Sequence, residues 1–446
     1  MNTPICDFVT RYLESNSLRA HMPGHKGAVL VGPEPRDITE IAGADSLYEA
    51  DGIIRESEKN AGILFGADTL YSTEGSSQCI RAMVYLAVLY AKQQGSARKI
   101  LAARNAHKTF LSAAALCDVD VEWLAGGEGT SYLSCPVDAE MVEAALRDME
   151  ETPAAVYLTS PDYLGNLVPV ADIASVCHRY GALLLVDNAH GAYLKFLPQS
   201  CHPMDLGADI CCDSAHKTLP ALTGAAYLHI ARRAPEFLHS QAKTAMAMFG
   251  STSPSYLMLQ SLDAVNAYVA DGYRERLSDF IQQTDALKTR LTAHGYTLCG
   301  QEHTKLVIDA KAYGYAGTEL AELLMESQIA VEFADPDFLV MMVTPETGEA
   351  GLARLETALC AIPRREAVLE APPAFSLPER AMSIRQAAMS LCETVEASDS
   401  LGRVLAAATV GCPPAVPIVA CGERIDETAL RCFAYYGIDH CTVVIE

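Results

Sequence analysis

Apolar and polar positions along this chain recur with two periods. Between residues 69 and 213, the short apolar-rich runs TLYST (69–73), KILAAR (99–104), AAVYLT (154–159), ALLLVD (182–187) and ADICCD (208–213) read as buried strands. Between them the spacing changes to that of helices. Residues 76–94 place Ile80, Met83, Val84, Ala87 and Val88 on one face, and a second helix is predicted near 170–180. Strand and helix in alternation predict an α/β fold with a mainly parallel sheet covered by helices. A long helix is expected over about 254–292, then a smaller α/β segment with strands near 304–310 and 338–344. The sequence PRREAVLEAPPAFSLP (363–378) carries four prolines and reads as a linker into a last unit. The expected organisation is an N-terminal arm (1–60), a large domain (61–270), a small α/β domain (271–365) and a C-terminal α+β domain (366–446).

Each strand of the large domain ends in a polar cluster: EGSS (74–77), NAHK (105–108), SPDY (160–163), DNAH (187–190) and DSAHK (213–217). Ligands of open α/β sheets bind outside the carboxyl ends of the strands, so these five loops are expected to converge on one site.

Composition narrows the possible chemistry. Against 33 basic residues stand 56 acidic ones, giving a net charge of −23 that repels phosphate backbones and argues against nucleic acid as a partner. Fifteen cysteines occur without a CxxC pair or Cys/His ligand spacing, so no metal site is expected and a reducing cytoplasm is the implied compartment. The N-terminus lacks a basic head followed by an apolar core, and no uncharged apolar run reaches membrane-spanning length.

Three His-Lys pairs are present: His25-Lys26, His107-Lys108 and His216-Lys217. Only Lys217 directly follows a strongly apolar strand, where a lysine can be desolvated enough to capture a carbonyl. Asp187 closes another strand. The pair suits pyridoxal phosphate: Lys217 would form a Schiff base with the aldehyde, and the Asp187 carboxylate would keep the pyridine nitrogen protonated. Gly75, Ser76 and Ser77, opening a helix, offer backbone N–H groups and hydroxyls to the phosphate, with Ser214 and His216 completing the cup. His107 could lie on the ring, and His190 is near enough to touch cofactor or substrate. Singly, each has an ordinary structural explanation, such as an N-cap for Gly-Ser-Ser or a loop cap for Asp187. His21 and His25 in HMPGHKG are four apart, but Pro23-Gly24 breaks the helix that a metal pair would need.

With those residues, the chain resembles the Orn/Lys/Arg decarboxylase family, group III pyridoxal phosphate decarboxylases with the type I aminotransferase-like fold. The resemblance rests on HMPGHKG (21–27), DITE (37–40), FGADTLYSTEGSSQ (65–78), ARNAHKTF (103–110), DNAHGAYL (187–194), DSAHKTLPALTGAAYLH (213–229), STSPSY (251–256) and CPPAVPIVACGERI (412–425). It implies that Lys217 is the Schiff-base lysine, that Asp187 pairs with the pyridine nitrogen and that His107 stacks on the ring. It also implies that Ser76, Ser77, Ser214 and His216 bind the phosphate and that His190 lies beside the cofactor. A homodimer or higher oligomer is implied as well, with Ser251 or Thr252 reaching the neighbouring subunit's phosphate. The chain departs from the family pattern in Asn188 for an acidic residue, Cys412 for an aromatic one, Ala415 for glycine, and serine at 76 and 77 where the loop has a threonine. The chain resembles the short biosynthetic forms, which lack an N-terminal wing.

The expected reaction is α-decarboxylation of a basic amino acid, with arginine, giving agmatine, ranked ahead of lysine and ornithine. Glu423 is the candidate to meet the substrate's cationic tail. Two alternatives stay open: another type I lyase or aminotransferase, and a pyridoxal phosphate-binding regulatory or assembly protein that has lost turnover.

Overall fold

The computed structural model describes residues 1–125, 131–374, 376–408 and 414–445. Its centre is a seven-stranded sheet made of β1 (Asp68–Ser72), β2 (Ala97–Ala103), β3 (Asp120–Leu124), β4 (Pro153–Thr159), β5 (Leu183–Asp187), β6 (Ile210–Asp213) and β7 (Ala226–Ile230), in the order β1-β7-β6-β5-β4-β2-β3. Strands β3, β2, β4, β5 and β6 pair in parallel, and β7 runs antiparallel between β6 and β1. Strands β4 to β6 are buried almost throughout, which is why they read as continuous apolar runs without alternation. The helix Gly75–Gln94 buries Cys79, Ile80, Met83, Val84 and Ala87 in the core around this sheet.

Two strands lie outside the sequence prediction. β3 (DVEWL) is an edge strand with mixed burial, in which Asp120 and Glu122 interrupt the apolar Val121, Trp123 and Leu124. β7 comes shortly after the Lys217 turn, and only its antiparallel pairing with both neighbours marks it as a strand.

The long helix expected over 254–292 is two helices, Tyr256–Ala270 and Tyr273–His294. The chain turns at Asp271-Gly272, where Gly272 takes φ +65°, a left-handed conformation that costs glycine little and ends the first helix. The first of these helices anchors the N-terminus. Asp263 accepts hydrogen bonds from the Ile5 and Cys6 N–H groups, both at 2.9 Å, and from Ser57 Oγ at 2.6 Å. Two otherwise orphaned donors at the start of helix Pro4–Glu14 are thereby satisfied.

A four-stranded antiparallel sheet follows, in the order β10 (Phe333–Ala334), β11 (Phe338–Met342), β9 (Lys305–Asp309), β8 (Thr297–Cys299). It docks on the loop after β4: the N–H groups of Gln301 and Glu302 donate to the Gly165 carbonyl at 2.8 and 3.0 Å. Gly300 (φ +80°) makes the close approach possible, since a Cβ there would stand 2.2 Å from the Leu164 carbonyl oxygen. Residues 363–378 hold neither helix nor strand among their described residues. The last sheet is β12 (Cys392–Glu396), β13 (Leu405–Ala407) and β14 (His440–Val444), ordered β12-β14-β13. None of the described helices is long and apolar enough to cross a membrane.

Candidate active site

The five predicted loops and the start of β7 surround one cavity of about 330 Å³. Glu74, Gly75, Ser76 and Ser77 line it after β1, Asn105 and His107 after β2, Pro161 and Tyr163 after β4, Asp187 and His190 from β5, and Ser214, His216 and Lys217 after β6. One sheet edge gathers them because all their strands point the same way.

Lys217 lies in the single turn Ala215–Thr218 that follows β6, and its Nζ is 2.8 Å from His190 Nε2. His190 is 7% exposed. Burial, followed by the nearby Lys217 and Lys305 charges, pushes its imidazole well below the ordinary histidine range, so it is neutral. Asp187, at the end of β5, accepts from Tyr157 Oη at 3.1 Å and from the Ala189 N–H at 3.2 Å. Cys212 Sγ donates to it as well at 3.5 Å, so the carboxylate is held at the end of a buried strand by three donors.

Around the start of helix Gly75–Gln94 the groups form a cup. Glu74 at its N-cap position makes no side-chain cap, and Gly75 N–H is taken by the Gly224 carbonyl at 2.7 Å. Ser214 Oγ donates to Ser76 Oγ at 2.9 Å, and Ser77 Oγ is 3.2 Å from Thr109 Oγ1. His216 Nδ1 is 3.0 Å from the Ala225 carbonyl and so donates to it. Its Nε2 can donate to an anion only when the ring is doubly protonated, a form that burial disfavours without such an anion.

His107 caps the helix Lys108–Cys117, its Nδ1 accepting from the Thr109 N–H at 3.1 Å, which leaves the Nε2–H to the cavity. Burial pushes its pKa from 6.5 down to about 4. The unfolded chain therefore takes up this proton first. The stability held in neutral His107 is full above about pH 6.5 and is lost as pH falls toward 4, up to about 3 kcal/mol. Melting temperatures of the cofactor-free protein between pH 7 and 4.5 are expected to fall less steeply for His107→Gln than for the wild type. Parallel curves would contradict this.

Two buried polar atoms of cavity-lining residues, Asn105 Oδ1 and Thr159 Oγ1, have no partner among the described residues. Buried polar atoms are normally paired, so both point to a polar ligand.

The Orn/Lys/Arg decarboxylase major domain matches residues 3–311. The chain belongs to the Orn/Lys/Arg decarboxylase family. Members of this family are pyridoxal phosphate-dependent decarboxylases of basic amino acids. The arginine decarboxylase of Halalkalibacterium halodurans is 30% identical over 96% of this chain and 92% of that protein. The arginine decarboxylase of Bacillus subtilis is 28% identical over 95% and 91%. Among solved structures, the Francisella novicida lysine decarboxylase superposes with a TM-score of 0.80 at 18% identity, covering 99% of this chain and 81% of that one. It shares the fold, as does an alanine–glyoxylate aminotransferase from Nostoc at a TM-score of 0.56 and 17% identity, covering 69% and 85%.

The donor set fits the family's cofactor. An amine stands at the end of β6, a buried carboxylate at the end of β5, an uncapped helix start flanked by three serine hydroxyls lies on the wall, and two unpartnered polar atoms face inward. Lys217, Asp187, Ser76, Ser77, Ser214 and His107 are the residues available to hold pyridoxal phosphate.

Glu423 requires a correction. Its carboxylate is 3% exposed and ion-paired with Arg104 at 2.9 Å, and it accepts from the Ala420 N–H at 2.6 Å. Arg104 also donates to the carbonyls of Pro417 and Ile418 at 3.1 and 2.9 Å. Glu423 therefore fastens the C-terminal segment to the end of β2 and is not on the cavity wall. Thr252 is exposed and likewise off the wall of a single chain.

Of the departures from the family pattern, Ser76 and Ser77 line the cavity, and Asn188 and Ala415 do not. Asn188 donates to Asp213 Oδ1 at 2.6 Å, beneath the site, where His202 and His229 also bond the Asp213 carboxylate at 2.9 and 3.1 Å. His202, Cys211 and Asp213 stand close enough together to hold a cation, but His202 and Asp213 already bond each other. Ala415 takes a left-handed φ of +58° and its carbonyl accepts the Lys108 N–H at 2.8 Å, which explains a family preference for glycine there. Cys412 lies outside the described residues.

Sequence reasoning missed Glu332 and Lys305. Glu332 lines the cavity from the strand pair of the small sheet, and Tyr163 Oη donates to it at 2.8 Å. Lys305 Nζ is 3.1 Å from His190 Nδ1. The one available signal was a lysine heading the apolar strand KLVID.

Proposed function

We propose that this protein removes the α-carboxylate of a basic amino acid with pyridoxal phosphate bound in the cavity, and that arginine, giving agmatine, is its substrate. The observation that carries the reading is the meeting of Lys217 and Asp187 in one cavity of an Orn/Lys/Arg decarboxylase family chain. Arginine is favoured because the Halalkalibacterium halodurans and Bacillus subtilis proteins that match almost the whole chain at 30% and 28% identity are named arginine decarboxylases. A transaminating or regulatory role has no comparable support: the family match covers residues 3–311, and Asn188 faces Asp213.

Pyridoxal phosphate, when bound, supplies an aldehyde for the amine and a ring that takes up the electron pair left by departing carbon dioxide. Lys217 is the amine that would hold that aldehyde. Asp187 would keep the pyridine nitrogen protonated, and the Ser76, Ser77 and Ser214 hydroxyls would hold the phosphate. His190, 2.8 Å from Lys217 Nζ on the cavity wall, would be a proton source for the carbon that must be reprotonated. The functional unit is a homodimer or larger assembly in which Thr252 serves a neighbouring site.

With Glu423 engaged by Arg104, the carboxylates on the wall besides Asp187 are Glu74 and Glu332. Glu332, oriented by Tyr163, is suited to the guanidinium. Glu332→Gln is expected to raise KM for arginine about 10-fold or more with a smaller change in kcat, the loss of one charge-assisted hydrogen bond. An unchanged KM would remove Glu332 from this role.

The direct test is carbon dioxide and amine release from arginine, lysine, ornithine and neutral amino acids by protein saturated with pyridoxal phosphate. Release from arginine supports the proposal. Release from lysine or ornithine alone would replace the substrate, and keto-acid formation without carbon dioxide would overturn the reaction.

A further inference from the structure

A second lysine stands behind the first. Lys305, at the start of β9, is 1% exposed and reaches out of the small sheet into the large domain. Its Nζ donates to the Asp162 carbonyl at 2.9 Å, lies 3.1 Å from His190 Nδ1 and is ion-paired with Glu302 Oε2 at 3.1 Å. On the other side of the imidazole, Nε2 lies 2.8 Å from Lys217 Nζ. Glu302, Lys305, His190 and Lys217 thus form a continuous chain from a buried carboxylate to the cavity.

We propose that Lys305 is a positioning residue that locks His190 in its Nε2–H tautomer, so that His190 presents a proton to Lys217 and to the reacting carbon. A neutral imidazole can accept from only one of its two lysine neighbours; Lys305, ion-paired with Glu302, is the ammonium, so its bond to Nδ1 forms only if Nδ1 is unprotonated, and Lys217 meets the Nε2–H as the neutral amine that its chemistry requires. A neutral imidazole then carries its proton on Nε2. The Tyr163 ring, edge-on to His190 at 5.2 Å between centroids, limits rotation of the imidazole about this axis. Because β9 is built on the small sheet, the tautomer depends on docking of that sheet against the loop after β4.

The inference deepens the decarboxylase reading, but its first test does not need turnover. In cofactor-free protein labelled with 15N-histidine, the His190 signals, identified by their loss in His190→Gln, are expected to show a single Nε2–H tautomer. Lys305→Met leaves Glu302 buried without its partner, so the double variant Lys305→Met/Glu302→Gln is measured beside it. In either variant that retains the wild-type circular dichroism, His190 is expected to become a tautomer mixture. In the loaded enzyme kcat is expected to fall about 100-fold, with KM for the accepted substrate within about 3-fold of wild type. An unchanged tautomer, or a loss confined to KM, would overturn the proposal and reduce Lys305 to an anchor of the small sheet. If the wild type decarboxylates nothing, the functional reading fails while the nitrogen signals still decide the role of Lys305.

Discussion

Lys217→Ala is expected to lose turnover by more than about 10⁴-fold and to lose covalent attachment of the cofactor at the same time. Lys217 has the cavity's amine at the end of β6, beside His190 at 2.8 Å, and alanine offers nothing to hold an aldehyde. Borohydride treatment of the wild type should fix pyridoxal phosphate on the peptide containing Lys217, while the variant should release its cofactor on denaturation. The change removes no core packing, because the side chain projects into the cavity. The melting temperature of the cofactor-free variant should therefore remain near wild type. Retained turnover, or attachment at another lysine, would refute the assignment.

Asp187→Asn should reduce kcat by about 10²- to 10³-fold while preserving the fold. The carboxylate accepts from Tyr157 Oη on one oxygen and from the Ala189 N–H on the other; an asparagine oxygen can keep the Ala189 bond while its NH2 donates to the Tyr157 hydroxyl oxygen. What the amide cannot supply is a negative charge opposite a protonated pyridine nitrogen, and at the buried end of β5 solvent does little to compensate for that loss. The visible absorbance of bound cofactor should shift in the variant, whereas Asp187→Ala would confuse this result by stranding the Tyr157 hydroxyl. A variant with wild-type kcat would show that Asp187 is a structural cap of its loop.

Much of the large domain was legible in the sequence because burial on both faces turns a parallel strand into an apolar run, and each run here ends in a polar cluster. The five clusters after β1, β2, β4, β5 and β6 had to share one edge once the strands were parallel. The antiparallel β7 was hidden because its pairing depends on β1 and β6, and β1 is far off in the chain. The break at Gly272 was hidden for another reason: glycine is tolerated in a helix at about 1 kcal/mol, so periodicity runs through it unless its backbone turns left-handed.

Glu423 marks the boundary most clearly. A glutamate near the end of a motif gives no sign of whether it faces a substrate or another side chain, and the partner, Arg104, is more than 300 residues away and ends the run KILAAR. Glu332 and Lys305 were missed for the converse reason. They belong to the small sheet, and only its docking against Gly165 brings one to the cavity wall and the other to His190.

By itself, the sequence determined an α/β sheet with its ligand-bearing loops on one edge, a lysine and an aspartate at the ends of two of its strands, and the motifs of a decarboxylase family. These follow from local periodicity and from residue types whose chemistry does not depend on distant neighbours. The tertiary structure alone decided which carboxylates line the cavity, which one is spent on an arginine, and which groups flank the two nitrogens of His190. Those outcomes depend on hydrogen-bond partners brought together from separate sheets, and distances between such partners are not encoded in any local pattern.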